Sequence, residues 1–508
     1  MSRFTVFGAA LLVSAVALTG CAATTGGTSA AGDDAEKVLT IGAFYDQPSF
    51  NPADSGSGHP VQYMQAVYDS LTKLDPDGTV QPSLATSWSY NDTKTVLTLE
   101  LRDDVTFSDG TAFTAEAVKA NLENVLAGSG QGSSSLASIQ SVEVASDTSV
   151  TITLTAPDPA LLYSLGQEGG FIASPTAIAA GDLATTPVGS GPYLLDAAQT
   201  TAGSEYTFTR NPDYWNTDEF PYDEVVIKPL LTEAARLNAL KSGQVDATGG
   251  VAKMVAEAEG SGLTVTTAPG DWQGLHIADR AGEVVPALAD VRVRQAINFA
   301  IDAEGILETI RLGYGERSSQ IFSPSGSAWD AELNEAYPYD PEEARALLAD
   351  AGYADGFDLP MVLSTDYLGD VQAAIEEGLG DVGIRVQWTS VPLTSLGAEM
   401  FSGKYPVYFA KLATTPIPWK DLQLPISGMY NLYGTEDATV TSLMSEIGAA
   451  DDAETGALYQ ELNEYLVTEA WFDPWYVQDN IYLSNNTVEV EMQQGQIIPS
   501  LYNYSPAE

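Results

Sequence analysis

Alternating hydrophobic and polar positions predict strands through the first half of the chain. Val38–Phe44 reads as an opening strand, Leu97–Leu101 alternates leucine with threonine and glutamate, and Ser141–Leu154 holds two alternating runs around a polar turn. Pro60–Leu74 instead carries apolar residues at helical spacing, which predicts an amphipathic helix. The first half therefore mixes strands with helices.

The second half contains a strand–helix–strand order. Asp340–Gly352 opens with an N-cap aspartate, a proline and glutamates and ends in glycine, which predicts a capped helix. Strand Leu359–Leu363, helix Val371–Leu379 and strand Ile384–Val391 follow. This order implies a right-handed crossover between parallel strands and an α/β architecture.

A glycine- and proline-rich stretch lies near the centre of the chain. Within Pro187–Trp215, Gly189 and Gly191 flank Ser190 before two short strand-like runs. Glycine permits unusual backbone angles and proline fixes φ, so the stretch predicts a β-hairpin entered through a rigid turn. A phosphate-cradling loop fits less well, because no third glycine follows and no helix begins at the turn.

Composition limits the class of protein. At 508 residues, with 44% hydrophobic residues, the chain can bury a large core and form two or more lobes. A formal net charge of -48 argues against nucleic-acid binding and against direct docking on anionic lipid. We attribute this acidity to a solvated surface rather than to the substrate.

Cysteine and histidine are scarce. The sequence has one cysteine, Cys21, and two histidines, His59 and His276, which excludes a cysteine-based zinc site and an internal disulfide in a monomer. No G-x-S-x-G elbow accompanies them, so a serine-hydrolase triad is not indicated. We predict no metal site and no cofactor. For His276 the alternatives are a metal or haem ligand and a hydrogen-bonded wall residue, and the second is favoured.

The N-terminus predicts export. Arg3 precedes an apolar run, Phe7–Leu18, that is shorter than a comfortable membrane span. The sequence LTGC ending at Cys21 then resembles the lipobox of bacterial lipoproteins, with residues 1–21 as signal peptide and Cys21 as the lipidated residue. Ala22–Lys37, rich in glycine, serine, threonine and alanine, predicts a flexible tether. A plain signal peptide with an incidental cysteine is the alternative.

Several motifs in one order resemble the family 5 extracellular solute-binding proteins, the peptide and nickel class that serves ABC importers. The central stretch reads PVGSGPY and then RNPDYW, where the family usually has P-V-G-T-G-P-Y and R-N-x-x-Y-W, so Ser190 is the departure. The run from Pro82 to Gly110 and the sequence DVRVRQAINFAID from Asp290 resemble further family elements. The likeness extends from about Val38 to the C-terminus.

The resemblance implies an α/β, two-lobe periplasmic-binding-protein-like fold (type II, large class) with an extra subdomain in lobe 1. On that pattern, lobe 1 comprises residues 38–59, 189–270 and 474–508. The extra subdomain is 60–188, and lobe 2 is 271–473. Such proteins close two lobes over a ligand like a hinged trap.

The same resemblance implies a binding protein and not an enzyme. It would be a lipid-anchored monomer on the extracytoplasmic face of the bacterial cell membrane that captures an oligopeptide or similar solute and delivers it to the transmembrane subunits of an ABC permease. It would have no nucleic-acid partner. Three alternatives stay open: an oligosaccharide-binding member of the family, a lipid-anchored hydrolase with paired carboxylates, and a sensor lipoprotein that presents its ligand to a membrane receptor.

Cleft residues of the family map onto three aromatic-rich segments of this chain. For any single aromatic residue in these segments, a place in the core is as good an explanation as a place in the cleft. The candidate ligand contacts are Phe44, Tyr45, Trp272, His276, Thr414, Thr415, Trp419, Asp421 and Tyr430. Peptide-binding members commonly carry an aspartate, which pairs with the ligand's α-amino group, where this chain has Thr414. A buried ammonium without a carboxylate partner is costly, and Asp421 is the nearby substitute. A sugar that stacks on Trp272, Trp419 and Tyr430 is the other interpretation.

Overall fold

The computed structural model describes residues 37–507 apart from residues 57 and 370. The signal peptide and lipobox expected over residues 1–21, with Cys21, lie outside the described residues, and so does the tether expected over residues 22–37 except for its last residue, Lys37. The β-strands of the described residues, β1 to β19 in chain order, are Val38–Ala43, Thr72–Leu74, Val80–Pro82, Ala85–Tyr90, Val96–Leu101, Ile139–Ser146, Ser149–Leu154, Tyr193–Leu195, Tyr206–Arg210, Glu224–Pro229, Ala247–Gly250, Thr264–Ile277, Gly315–Arg317, Phe357–Leu363, Ile384–Ser390, Val407–Ala413, Phe472–Ser484, Val488–Val490 and Tyr504–Pro506.

Helices connect and cover these strands. The α-helices of the described residues, α1 to α16, are Val61–Val67, Ala115–Ala127, Gln131–Ser135, Leu161–Ser164, Pro175–Ala180, Glu233–Lys241, Ala252–Gly260, Val291–Ala300, Ala303–Thr309, Pro341–Asp350, Thr365–Leu368, Val371–Asp381, Leu393–Met400, Pro418–Leu422, Ala438–Ala449 and Asp452–Thr468. Short 3-10 helices span Pro52–Asp54, Thr217–Glu219, Pro286–Ala289, Ala331–Glu335 and Leu501–Asn503, and a π-helix spans Gln423–Ser427.

A mixed nine-stranded sheet runs through the molecule. Its order is β16-β12-β17-β11-β1-β10-β9-β8, with β13 attached to β17. Strand β1 is parallel to both neighbours, so that Ile41 lies opposite Ile227 on one side and Ala247 on the other. Leu39 and Ile41, which lie on one face of the strand, are buried, and on the other face Thr40 is partly buried and Gly42 is buried. The predicted opening strand is confirmed.

A separate antiparallel sheet, β4-β5-β7-β6, forms the core of the region between α1 and the central stretch. Leu97 and Leu99 of β5 are buried, whereas Glu100 is exposed, which is the alternation that the sequence predicts. Helix α2 packs on this sheet through Val118 and Leu122. The predicted alternating pair in Ser141–Leu154 is confirmed as β6 and β7.

The predicted strand–helix–strand unit of the second half is confirmed. Strands β14 and β15 are parallel, with Phe357 opposite Ile384, and α12 connects them. The preceding helix α10 begins as predicted, because the Asp340 side chain accepts hydrogen bonds from the backbone N–H groups of Glu342 and Glu343, each at 3.0 Å. These elements share one apolar core with α8 and the end of β12.

The helix predicted over Pro60–Leu74 is wrong beyond Val67. Helix α1 ends at Val67, Tyr68 is extended, and Thr72–Leu74 pairs with β3 instead. The backbone N–H of Leu71 donates to the carbonyl of Gly170 at 3.0 Å, so a distant segment replaces the helical partner. Tyr68 and Leu71 are nevertheless buried, because the extended chain places them in the core that helical spacing also predicted.

The central stretch forms the predicted hairpin, with β8 and β9 paired so that Tyr193 faces Arg210. Its glycines are needed for a different reason from the one expected. Neither Gly189 nor Gly191 has a positive φ. A Cβ on Gly189 would lie 2.0 Å from the carbonyl oxygen of Val67, so glycine permits a close approach to the end of α1.

The hairpin is fastened to the body by a buried carboxylate. Asp69 accepts hydrogen bonds from Ser190 Oγ at 2.7 Å, Tyr214 OH at 3.0 Å and Trp215 Nε1 at 3.0 Å. Burial raises the pKa of Asp69 to about 6, against the opposing effect of these hydrogen bonds. Both halves of the central motif therefore meet at one side chain in the core.

Strands β12 and β17 are long and pair twice. Thr264–Pro269 pairs with Ser484–Asp479, and pairing resumes at Trp272 with Val477. Between these two paired regions the register shifts, so that two residues of β12, Gly270 and Asp271, lie opposite the single residue Gln478 of β17. This irregularity is a β-bulge on β12.

The bulge separates two cores. Before it, Ala268 and Tyr482 belong to the core around β1, which we call the first core. After it, Trp272 and Val477 belong to the core around α15 and α16, which we call the second core.

Candidate ligand-binding cavity

A cavity of about 370 Å³ lies beside the bulge. Segments from both sides of the bulge contribute to its wall. The lining residues are Gly58, His59, Gln131, Tyr163, Glu168, Gly270, Asp271, Lys411, Leu412, Ala413, Thr414, Thr415, Lys420, Asp421, Leu424, Pro425, Tyr430, Asn480, Gly495, Gln496 and Ile497. A volume of this size suits a small solute, and the wall combines apolar surface with several charged groups.

A larger groove, of about 570 Å³, is lined in part by Pro416–Pro418. Two of its charged groups, Lys94 and the buried Asp158, already have protein partners, and the third, Asp451, is exposed. Lys94 donates to the carbonyl of Ala450, and Asp158 accepts from Ser138 Oγ at 2.7 Å and from the Ala160 N–H at 3.0 Å. The smaller cavity is the better candidate site, because a buried carboxylate oxygen on its wall, Asp421 Oδ2, has no hydrogen-bond partner among the described residues.

The two threonines that follow β16 hold the cavity wall together. Thr414 donates to the Gly270 carbonyl from its backbone N–H at 3.1 Å and from Oγ1 at 2.6 Å. Thr415 donates to Asp421 Oδ1 from its backbone N–H and from Oγ1, both at 2.9 Å. The two threonines thus tie the bulge on one side to Asp421 on the other.

Asp421 keeps one carboxylate oxygen unused. It is 9% exposed, and its Oδ2 has no hydrogen-bond partner among the described residues. Burial raises the pKa of Asp421 well above the usual range, although the bonds from Thr415 and the charge of Lys420 oppose the shift. A cationic or hydrogen-bond-donating ligand group would complete the free oxygen and favour the ionised form of this carboxyl.

Asp271 and Lys411 are the second pair of charged groups on the wall. Burial raises the pKa of Asp271, and the charge of Lys411 partly offsets this shift. Burial lowers the pKa of Lys411 to about 8; the charge of Arg311 adds to this shift, and that of Asp271 opposes it. The Lys411 ammonium donates to the Tyr367 carbonyl at 2.9 Å and lies over the rings of Tyr367 and Phe409. The two groups influence each other without forming an ion pair within 4 Å.

A paired cation lies at another edge of the cavity. The Lys420 ammonium donates to Ser135 Oγ at 2.9 Å, Ser164 Oγ at 3.2 Å and Glu168 Oε1 at 3.4 Å. Ser135 also donates to Glu168 at 2.6 Å. Lys420 and Asp421 are neighbours on α14, so this short helix contributes both to the cavity and to the contact with the segment that carries Glu168.

Among the predicted contacts, Thr414, Thr415, Asp421 and Tyr430 line the cavity. Phe44 and Tyr45 lie behind it and pack on His59, with ring-centroid distances of 4.3 and 6.0 Å respectively.

Trp272, His276 and Trp419 do not line the cavity. Trp272 is 1% exposed and packs on Phe472, whereas Trp419 is partly buried against the second core.

His276 supports the wall from behind. It is fully buried, its Nδ1 lies 3.0 Å from Tyr408 OH, and its ring stacks on Tyr430 with centroids 6.2 Å apart. Burial, and then the charge of Arg280, lower the pKa of His276 well below the usual range. The His276 ring thus packs behind Tyr430, which lines the cavity. Among the described residues no cluster of three or more histidine, cysteine or acidic side chains is suited to a metal ion.

Sequence reasoning missed Asp271, His59, Lys420 and Glu168 as lining residues. Asp271 immediately precedes the predicted Trp272, and only the bulge decides which of the two faces the cavity. Glu168 and His59 come from segments far away in sequence, so no local pattern joins them to the late loop. Within residues 37–507, leaving out 57 and 370, no helix combines the length and the apolar character needed to cross a membrane.

Comparison with known proteins decides the family. The model of bacterial extracellular solute-binding proteins, family 5, matches residues 79–431, which is more than half of the chain. The chain belongs to this family of solute-binding proteins. It is thus a solute-binding protein of the ABC-transporter class, and the expectations of this family and of a binding protein rather than an enzyme are confirmed.

Curated relatives and solved structures agree with this assignment. The solute-binding protein is 26% identical over 374 residues to the glutathione-binding protein GsiB of Shigella flexneri serotype 5b, covering 72% of this chain and 71% of that one. HbpA2 from Haemophilus parasuis superposes with a TM-score of 0.81 at 21% identity, covering 93% of this chain and all of the other.

Two further solved structures share the fold. DppA from Helicobacter pylori, in complex with the peptide STSA, superposes with a TM-score of 0.77 at 21% identity over 93% of this chain and 99% of that one. NikA from Brucella suis, in complex with Fe(III)-EDTA, gives 0.76 at 24% identity over 92% and 99%. The predicted α/β fold of the type II periplasmic binding proteins is confirmed.

Proposed function

We propose that this solute-binding protein is an extracytoplasmic lipoprotein that captures an oligopeptide or a similar small solute and delivers it to an ABC permease. The family assignment supports capture and delivery. The lipobox-like sequence ending at Cys21 supports attachment through an N-terminal lipid. The relative named for glutathione, itself a small peptide, supports a peptide-like solute.

The cavity lies where two lobes would meet. Residues 38–59, 189–270 and 474–508 form lobe 1 in this proposal, with 60–188 as its extra subdomain and 271–473 as lobe 2. The bulge at Gly270 and Asp271, between the first and second cores, supports this boundary. Residues from lobe 1, its subdomain and lobe 2 all contribute to the wall, so a ligand there would contact each of them.

One observation carries the choice of ligand class: the cavity wall has a buried carboxylate oxygen, Asp421 Oδ2, without a hydrogen-bond partner in the described part of the chain. A buried acceptor of this kind is costly unless a donor completes it. An ammonium or amide N–H of a peptide-like solute supplies that donor. Thr415 and Tyr430 border the same space, whereas Thr414 uses both of its donors on Gly270.

The oligosaccharide alternative has less support. Sugars stack on exposed aromatic faces, but Trp272 is packed within the second core and Trp419 does not line the cavity. Tyr430, Tyr163 and His59 are the rings that border it. A charged wall with few free rings favours a charged solute.

Isothermal titration calorimetry on the full-length protein purified in detergent tests the ligand class. The probes are reduced glutathione, the tetrapeptide Ser-Thr-Ser-Ala, the dipeptide Met-Leu and maltotriose. We expect at least one peptide to bind and maltotriose to leave no heat signal. Binding of maltotriose alone would move the protein to the sugar alternative, and the absence of any bound solute, also after native mass spectrometry of the protein as purified, would contradict a capture role.

Attachment and delivery need a separate experiment. Metabolic labelling with an alkyne fatty acid should mark the wild-type protein, and Cys21→Ala should abolish both the label and membrane retention. Crosslinking in intact cells should recover ABC permease subunits with the wild type. An unlabelled wild-type protein would refute the lipoprotein assignment while leaving solute capture untouched.

A further inference from the structure

We propose that Asp271 and Lys411 form the charge anchor of the cavity, and that the ligand therefore presents a primary ammonium next to an oxygen acceptor, as an amino acid or a peptide amino end does. This inference rests on the proposed function and deepens it, because it assigns the head group of the solute. Asp271 binds the ammonium and Lys411 binds the adjacent carbonyl or carboxylate oxygen.

The bulge is the first observation behind this anchor. In a regular strand, side chains alternate between the two faces, so an inserted residue changes which side chain faces which way. Trp272 enters the second core, and Asp271, immediately before it, lines the cavity. The bulge thus directs a carboxylate into the cavity while the next residue keeps its place in the core.

The second observation is that Asp271 has no partner of its own. Among the described residues, no hydrogen bond and no ion pair within 4 Å involves its carboxylate, although it lies half-buried in the wall. Every other carboxylate of the cavity is at least partly satisfied, Glu168 by Ser135 and Lys420 and Asp421 by Thr415. A partly buried charge left open in this way favours a counter-charge supplied from outside the protein.

Lys411 supplies the complementary half of the anchor. Its ammonium is held by the Tyr367 carbonyl and by two aromatic rings, which leaves its remaining N–H groups free of any described acceptor. Asp271 and Lys411 act on each other's charge without an ion pair within 4 Å, and both line the cavity, so one ligand group with an ammonium beside an oxygen acceptor can pair with both. The α-ammonium of an amino acid can pair with the Asp271 carboxylate, and the neighbouring oxygen can accept a hydrogen bond from Lys411.

Asp421 adds an independent indication that the ligand donates hydrogen bonds. It is nine-tenths buried, lines the same cavity and has a free Oδ2. Thr414 and Thr415, consecutive in the chain, hold Gly270 and Asp421 respectively, so the two carboxylates have fixed positions on one wall. A neutral sugar would leave the Asp271 and Lys411 charges without counter-charges, whereas a free amino acid neutralises both, and a peptide amino end neutralises Asp271 and offers Lys411 a carbonyl acceptor.

The test is a cycle that combines a chemical change in the ligand with a mutation in the full-length protein. Ser-Thr-Ser-Ala and its N-acetylated form are titrated into wild type, Asp271→Asn and the matched control Asp358→Asn, whose carboxylate is exposed and paired with Arg385. We expect acetylation to weaken binding to the wild type by about 10- to 100-fold, the range for a hydrogen-bonded charge. Asp271→Asn should weaken the free peptide similarly, and acetylation should then cost nothing more.

Lys411→Met should weaken the free peptide while keeping the preference for a free amine, and Lys404→Met, an exposed lysine nearby, should have no effect. Asp271→Ser serves as a second variant, and thermal unfolding of each variant confirms that it folds. Equal binding of acetylated and free peptide by the wild type would overturn the anchor, as would full affinity of a folded Asp271 variant. Binding of maltotriose but of no amine probe would overturn the anchor yet leave solute capture standing, whereas failure of every probe would overturn both.

Discussion

Lys420 and Glu168 allow a sharp test of how the cavity wall is held together. The Glu168 side chain is 4% exposed and that of Lys420 is 21% exposed, and their charges lie 3.4 Å apart. Burial alone would raise the pKa of Glu168, but the charge of Lys420 and the hydrogen bond from Ser135 outweigh it and hold that pKa below its usual range. The acid therefore remains ionised inside the wall because the lysine is present.

Removing the lysine should cost more than removing the acid. Lys420→Met leaves a buried carboxylate with Ser135 as its remaining partner, for which we expect a loss of about 2–4 kcal/mol of unfolding free energy. Glu168→Gln leaves the more exposed ammonium with Ser135 and Ser164, and should cost about 1–2 kcal/mol. The asymmetry follows from the difference in exposure between the two side chains.

Urea unfolding of the ligand-free protein measures both losses. The matched control is Lys253→Met, which breaks a pair between two exposed side chains and should cost less than about 1 kcal/mol. A carboxyl group whose pKa is lower in the folded protein than in the unfolded chain stabilises the fold at pH values above its unfolded-state pKa of about 4.3. This stabilisation is lost as the pH falls through the pKa of the folded protein. The cost of Lys420→Met should therefore shrink between about pH 7 and pH 4, as Glu168 becomes protonated in the variant. Equal costs for the two single variants, or a cost independent of pH, would refute this reasoning.

Three further predictions concern the hairpin and the cavity. Gly189→Ala should destabilise the protein by more than about 2 kcal/mol in urea unfolding, because the new Cβ would lie 2.0 Å from the Val67 carbonyl oxygen, whereas Gly181→Ala, with open space around it, should lose only the smaller cost of its positive φ. Thr414→Asp should lower the thermal unfolding temperature and weaken Ser-Thr-Ser-Ala binding, since it loses the Gly270 hydrogen bond and buries a carboxylate at a 1% exposed position; tighter binding would contradict the role given to Thr414. Affinity for the free peptide should fall on acidification at a higher pH than a carboxylate of ordinary pKa (about 3.9) requires, because the pKa of Asp271 is raised and its protonated form cannot attract an ammonium; the pH dependence should be weaker in Asp271→Asn, where Asp421 still titrates on the same wall, and the other charged groups whose titration must be compared are Lys411 and His59.

The parts of the fold that were predicted correctly from the sequence depend on local sequence patterns. Alternation in β5 and the cap of α10 are properties of a few neighbouring residues, and both are found as predicted. The helix expected up to Leu74 failed because the backbone of Leu71 pairs with Gly170, a partner about a hundred residues away that no local pattern reveals.

The candidate site was only partly predictable for the same reason. Thr414, Thr415, Asp421 and Tyr430 occur on one loop, so the resemblance to the family located them together. Whether Asp271 or Trp272 faces the cavity depends on a register shift between two strands that are two hundred residues apart in the chain. Hydrophobicity alone favours neither arrangement, because an aromatic residue suits a core and a binding site equally.

The bulge on β12 also has a mechanical consequence. The residue opposite it, Gln478, accepts a hydrogen bond from Gln273 at 2.7 Å, and Gln273 in turn accepts one from Arg311 at 2.8 Å, so the irregular step is braced from the neighbouring strand and helix end. When two bodies turn about a shared axis, the points on the axis travel least. If the two lobes of the proposed function turn about this bulge, an anchor there would hold the charged end of a solute nearly still while the more distant walls move, so that a contact made in the open state would be kept in the closed one.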